Sequence, residues 1–181
     1  RKIKDGINIE VPQFIGSIIS EFTMQARKSE DISQHSGVSV RMTISNYDIV
    51  LASAYKRAYI LKEKIAVPRM SDLFYMIYTS IGKVEIEAIA EKNEIEILER
   101  IFKKTVKIVF DEYFKVHEFE PLILLFREDF KFETSDMKPS SEYVMVFEKV
   151  PSLFKLAERL GKRTEAEFLA SYLEFFLEGL Y

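Results

Sequence analysis

Apolar residues recur at helical spacing along most of the chain. The first stretch opens at Pro12, which suits the start of a helix because a helix has no acceptor there for the missing N–H. The spacing predicts a helix that fades near Lys28 and Ser29, followed by a polar loop over residues 30–37. The apolar face of this helix consists of Phe14, Ile15, Ile18, Ile19, Phe22 and Ala26.

A second helix has the most regular pattern, with apolar positions that alternate in steps of four and three residues. This spacing predicts one buried face. Pro68 bounds the helix, and Ser71 is expected to cap a short helix that stops at Gly82. The predicted buried face consists of Val40, Ile44, Tyr47, Leu51, Ala54, Ala58 and Leu61.

Residues 84–114 combine charged and apolar positions in helical rhythm. The alternation at residues 84–87 is also compatible with a strand, but its neighbours are strong helix formers, so a helix broken near Lys92 and Asn93 is preferred. The predicted seam consists of Leu98, Ile101, Phe102, Thr105, Val109 and Phe110.

The last third of the chain predicts a short apolar helix after Pro121, an irregular stretch over residues 132–139, and helices near 140–149, 152–160 and 164–179. Thr164 and Glu167 have the spacing of a capping box for the last helix. Gly161 and Gly179 suit helix C-termini. The aromatic face of the last helix is expected to pack in the core or between subunits. It consists of Phe168, Tyr172, Phe175 and Phe176.

Composition supports an all-α globular fold without a dedicated nucleic-acid surface. Of the 181 residues, 48% are hydrophobic and 30% are charged, and only six are Gly and five Pro, which disfavours turn-rich all-β folds. The net charge is −3, whereas nucleic-acid binders usually have a basic excess. No apolar run approaches the ~20 residues that span a membrane. The ends, at Arg1 and Tyr181, are expected to be cuts from a longer protein.

The sequence contains no complete catalytic set. There is no GxxxxGK[ST] phosphate loop, no GxGxxG motif and no cysteine. The two histidines, His35 and His117, are far apart in the sequence. Surface or capping roles are the favoured interpretation for both, so no metal site is predicted. Carboxylate pairs on the charged helices are interpreted as solvated faces. A free-standing enzyme is therefore disfavoured, and no catalytic residue is assigned.

One segment has a pattern suited to anion binding. Gly37 permits a tight backbone turn before the second helix, Ser36 or Ser39 can cap that helix, and Arg41 falls in its first turn. A cation is slightly unfavourable near a helix N-terminus, so a ligand or partner explains this arginine better than helix stability does. Helix amides and a guanidinium can converge on phosphate oxygens. A plain surface arginine is the alternative.

Residues 34–48 resemble the sensor 2 region of magnesium chelatase I-subunit-like and MoxR-like AAA+ ATPases, in which a small-residue turn leads into a lid helix with the sensor arginine. Further short blocks match in the same order, at residues 11–14, 68–73, 82–87, 142–144, 150–153 and 177–180. The resemblance therefore spans nearly the whole chain. His35 departs from it, since a basic residue is expected there, and whether it touches nucleotide stays open.

The resemblance implies a helical-bundle lid over residues 1–115 with a C-terminal helical extension, 116–181, packed on it. Arg41 would be the sensor 2 residue on the ATP γ-phosphate, supported by the turn at Ser36, Gly37 and Ser39. ATP and Mg²⁺ would be held mainly by a phosphate-loop α/β domain upstream, with none bound to this region alone.

Neighbouring ring subunits and a client protein are the implied partners, in the cytoplasm. A helical interaction module without nucleotide sensing is the alternative function. Arg69 is predicted to be a surface residue or an inter-subunit contact.

Overall fold

The computed structural model describes residues 6–33, 38–86 and 93–181, and only the backbone of Val40. Helices dominate this part of the chain, so the prediction of an all-α helical bundle is confirmed. The helices are α1 (Gln13–Lys28), α2 (Val40–Leu61), α3 (Met70–Leu73), α4 (Tyr75–Ser80), α5 (Glu94–Tyr113), α6 (Glu120–Arg127), α7 (Ser140–Lys149), α8 (Ser152–Ala157) and α9 (Ala166–Leu180). A 3-10 helix, Val116–Phe119, precedes α6.

Two short strands tie the N-terminal segment to the end of α2. Strand β1 (Asn8–Ile9) pairs in parallel with β2 (Ile65–Ala66), and the N–H of Glu10 donates to the Ala66 carbonyl at 3.0 Å. Helix α2 ends at Lys62, which adopts a left-handed conformation with φ 57°. The reversal at Lys62 turns the chain back so that β2 can reach β1.

The helices pack around one continuous apolar core. Helix α1 contacts α5 and α2, α7 contacts α9, and α9 also contacts α5 and α3. The predicted faces of α1 and α5 and the aromatic face of α9 are buried in this core, as expected. Buried side chains on both sides of residue 115 belong to the same cluster, while the division into two regions stays a prediction.

The buried face predicted for α2 is partly wrong. Ile44 is 58% exposed and Tyr47 is 39% exposed, whereas Met42, Asn46 and Val50 are fully buried. Because Asn46 is polar, the face that is buried in the structure has a less apolar sequence pattern than the predicted face with Ile44 and Tyr47. Its amide is satisfied inside the protein, because it donates to Ser80 Oγ at 3.1 Å and accepts from Thr79 Oγ1 at 2.7 Å.

Residues 84–86 do not form the preferred helix. Ile86 forms an isolated antiparallel bridge with Ile32, and the N–H of Ser33 donates to the Glu85 carbonyl at 2.7 Å. The bridge at Ile86 is as close as these residues come to the strand alternative, since no strand forms over residues 84–86, and residues 87–92 lie outside the described ranges. Helix α5 begins after Asn93, whose side chain accepts from the N–H of Glu96 at 3.0 Å.

Two predicted caps are also wrong. Residue Arg69, not Ser71, caps α3, and the Asp72 carboxylate accepts its N–H at 2.9 Å. Helix α9 begins after Glu165 without a side-chain cap, so the box predicted from Thr164 does not form.

Gly179 is the second-last residue of α9 and not the residue that follows the helix. Its position is set by close packing. A Cβ placed there would overlap the Phe110 ring of α5. We expect Gly179→Ala to lower the free energy of unfolding by about 1–3 kcal/mol through overpacking. Urea denaturation of the chain measures this change.

Gly16 in α1 is the matched control, because a Cβ there would meet no atom within 4 Å. We expect Gly16→Ala to stabilise the protein by about 0.5–1 kcal/mol, since glycine weakens a helix interior. Equal stabilisation by both substitutions would contradict the close packing of Gly179 on Phe110.

Candidate functional site

Arg41 lies in the first turn of α2 with its side chain exposed. The structure gives its guanidinium no hydrogen bond or ion pair with any other described residue. The first turn contains no acidic residue. Residues Ser36, Gly37 and His35 lie outside the described part of the chain, so the predicted supporting turn is described only at Ser39.

The start of α2 uses its own amides for capping. Ser39 Oγ accepts from the N–H of Arg41 at 3.1 Å, which confirms Ser39 as the cap. The N–H of Met42 donates to the Ser39 carbonyl at 2.9 Å. These two amides are already bonded and are not free to receive an anion, whereas the Arg41 guanidinium is.

A second cation, Lys83, is linked to the backbone of Arg41 through Ser45. The ammonium group of Lys83 donates to Ser45 Oγ at 2.9 Å, and that hydroxyl donates to the Arg41 carbonyl at 2.7 Å. The sequence did not single out Lys83 because it is 42 positions further along the chain. Its placement depends on the contact of α4 with α2, which local periodicity does not show.

The opposite end of α2 is fixed by a buried ionic network. Arg57 is 3% exposed, and it donates to Glu63 Oε2 at 3.0 Å and to Asp72 Oδ2 at 2.8 Å. The same Arg57 Nη2 also donates to the Val67 carbonyl at 2.7 Å. Ser53 adds a hydrogen bond to the other oxygen of Asp72, at 2.7 Å. These contacts bind α2 to α3 and to the loop between them.

Arg69 extends the network to the C-terminal helices. This residue is fully buried, so its prediction as a surface or inter-subunit residue is wrong. Its Nη2 donates to Glu63 Oε1 at 3.0 Å and to Ser140 Oγ at 2.5 Å, and its Nη1 donates to the Lys138 carbonyl at 2.8 Å. The Ser140 hydroxyl and N–H both donate to Glu63 Oε1. Helix α7 is therefore held to the end of α2.

Glu174 on α9 completes the set of buried charges next to this network. Its carboxyl group accepts from the Tyr143 hydroxyl at 2.6 Å and from the N–H of Ser71 at 2.9 Å. Burial raises the pKa of Glu174, and the Tyr143 hydrogen bond and the nearby Arg69 charge oppose this rise. Burial and the Glu174 charge raise the pKa of Tyr143. The side chains of Glu63, Asp72 and Glu174 are therefore buried, whereas the prediction of solvated faces concerned the carboxylate pairs on the charged helices.

The remaining candidate residues have structural or surface positions. His117 is exposed in the 3-10 helix, as its predicted surface role requires. Within the described residues, no group of three His, Asp or Glu side chains is placed to hold a metal ion. No helix in the described ranges has both the length and the apolar character needed to cross a membrane.

Comparison of the chain with family models, with curated proteins and with solved structures finds no match. The relation to AAA+ ATPases therefore stays a resemblance carried by the sequence blocks and by the position of Arg41.

Proposed function

We propose that this chain is the nucleotide-sensing helical lid of a magnesium chelatase-like AAA+ ATPase, and that Arg41 contacts the γ-phosphate of ATP. One observation carries the proposal: the exposed Arg41 guanidinium, unpaired in the described part of the chain, lies in the first turn of α2, where a cation is unfavourable and no acidic residue stands beside it, unlike the unpaired Arg127 in the last turn of α6. Six of the other described arginines bond to acidic groups or carbonyls: Arg27, Arg57, Arg69, Arg100, Arg159 and Arg163.

The phosphates and Mg²⁺ would be held by a phosphate-loop α/β domain that precedes this region in the same protein. Such a domain supplies the backbone amides and the lysine of a GxxxxGK[ST] phosphate loop, a motif that does not occur in this chain. The complete protein would act in the cytoplasm as a ring, with neighbouring subunits and a client protein as partners. Its client follows from neither the fold nor the sensor residue, because one motor fold serves many substrates.

Sensing would work through charge-assisted hydrogen bonds that exist only while the γ-phosphate is present. Lys83 places a second positive charge near Arg41, which would add to the attraction for the phosphate. Because Arg57 and Arg69 fix the other end of α2 to α3 and α7, a displacement of Arg41 would carry these helices with it.

ATP and ADP affinities of the complete protein test this role. We expect Arg41→Ala to weaken ATP binding by roughly 10- to 100-fold, since a hydrogen bond to a charged group contributes about 1.5–3 kcal/mol. Affinity for ADP should change little, because ADP has no γ-phosphate. Equal losses for the two nucleotides would contradict γ-phosphate sensing.

A second candidate function is a helical interaction module without nucleotide sensing. The exposed apolar side chains of Ile44 and Tyr47 on α2 favour it, because adjacent exposed apolar groups often mark protein contacts. In that case Arg41→Ala leaves ATP affinity unchanged, whereas Ile44→Ser weakens association with the partner.

A further inference from the structure

A cavity of about 350 Å³ lies between α3, α6 and the C-terminal half of α9. This volume is in the range of small-ligand sites. Its walls combine aromatic rings with two carboxyl groups. The rings are those of Phe74, Phe126 and Phe132, with the 96% exposed Tyr181 at the rim, and the carboxyl groups are those of Glu174 and Glu178.

The two carboxyl groups differ in their partners. Glu174 is engaged by the Tyr143 hydroxyl and the Ser71 N–H. Glu178 has no hydrogen bond or ion pair to any described residue, although it is partly buried. Burial raises the pKa of Glu178, and the charge of Lys103 opposes this rise. A carboxylate removed from water in this way is stabilised by a bound cation.

The aromatic walls already attract ammonium groups in this structure. The ammonium nitrogen of Lys138 lies 4.2 Å from the centroid of the Phe132 ring. That of Lys103 lies 5.4 Å from the centroid of the Tyr181 ring. Both distances are within the range of cation–π interactions. Neither lysine lines the cavity, and the rings of Phe74 and Phe126 have no such contact with a described residue, so they are free to receive a bound cation.

We propose that this cavity binds a small organic ammonium ion, with its cationic group between the aromatic rings and the Glu178 carboxylate. A ring-lined cavity with a carboxylate matches the charge and the apolar surface of a substituted ammonium group. This site is separate from Arg41 and does not depend on nucleotide sensing.

Choline and its neutral isostere 3,3-dimethylbutan-1-ol distinguish charge recognition from apolar filling. Both probes are titrated into the protein while NMR follows the amide signals of the lining residues. We expect saturable shifts with choline and an affinity at least about fivefold higher than for the neutral probe, because only choline has the cationic charge. Equal affinities, or no saturable shift with choline, would overturn the proposal.

The variant Glu178→Gln removes the negative charge while keeping the size of the side chain, so it distinguishes the effect of the carboxylate on binding from the effect of the cavity shape. The substitution should weaken choline binding at least about fivefold and leave the neutral probe unaffected. Glu99→Gln on the exposed face of α5 is the control and should change neither affinity. Unchanged choline affinity in Glu178→Gln contradicts the site. If Glu178→Gln does not fold, the comparison of the two probes on the unaltered protein still decides the matter.

Discussion

Replacing Arg69 with alanine is expected to lower the free energy of unfolding by about 3–5 kcal/mol, because it leaves buried acceptors without their donor. Glu63, Ser140 and the Lys138 carbonyl would each lose a hydrogen bond that burial prevents water from replacing. A loss of this size is a large part of the total stability of a small protein, which is about 5–15 kcal/mol. Urea denaturation followed by circular dichroism measures it.

Arg127→Ala is the control for this substitution. Arg127 is exposed on α6 and makes no hydrogen bond or ion pair with another described residue. Its replacement should change stability by less than about 0.5 kcal/mol. Arg69→Lys should fall between the two, since lysine keeps the charge but loses the planar fork. A loss below about 1 kcal/mol in Arg69→Ala would show that the network contributes little.

Local periodicity was sufficient to predict most helices. The faces of α1 and α5 followed from apolar spacing alone, because their buried positions are almost all apolar. The short helices α7 and α8 were predicted near residues 140–149 and 152–160, and α8 ends earlier, at Ala157.

The errors occur where tertiary contacts decide between local alternatives. Asn46 is buried because α4 supplies hydrogen bonds to its amide, and no local pattern could show this. Ile86 is extended because it pairs with Ile32, which is 54 positions away. Gly179 is required by the Phe110 ring rather than by a helix end.

The candidate site was predicted only in part. The positions of Arg41 and Ser39 followed from the helix start, since a capping serine and the next residues have fixed relative places. The proximity of Lys83 and the burial of Arg69 did not follow, because each depends on contacts between distant segments. A buried arginine has the same local sequence signature as an exposed one.

The proposed sensing role predicts that Arg41→Ala has the largest effect on activity, with ATP turnover of the complete protein reduced roughly 10- to 100-fold. The guanidinium would stabilise the charge on the transferred phosphoryl group, and such charged hydrogen bonds contribute about 1.5–3 kcal/mol. Stability should be almost unaffected, because the side chain is exposed and its removal breaks no described contact. Arg41→Lys should recover only part of the activity, since it offers one point charge instead of a fork.

The most direct measurement is steady-state ATP hydrolysis by the complete protein with Arg41→Ala, compared with the exposed-arginine control Arg127→Ala. A lid that senses the γ-phosphate predicts a loss of roughly 10- to 100-fold for Arg41→Ala, normal turnover for Arg127→Ala, and the same unfolding curve for both. Near-normal hydrolysis by Arg41→Ala would contradict the sensing role proposed for this chain.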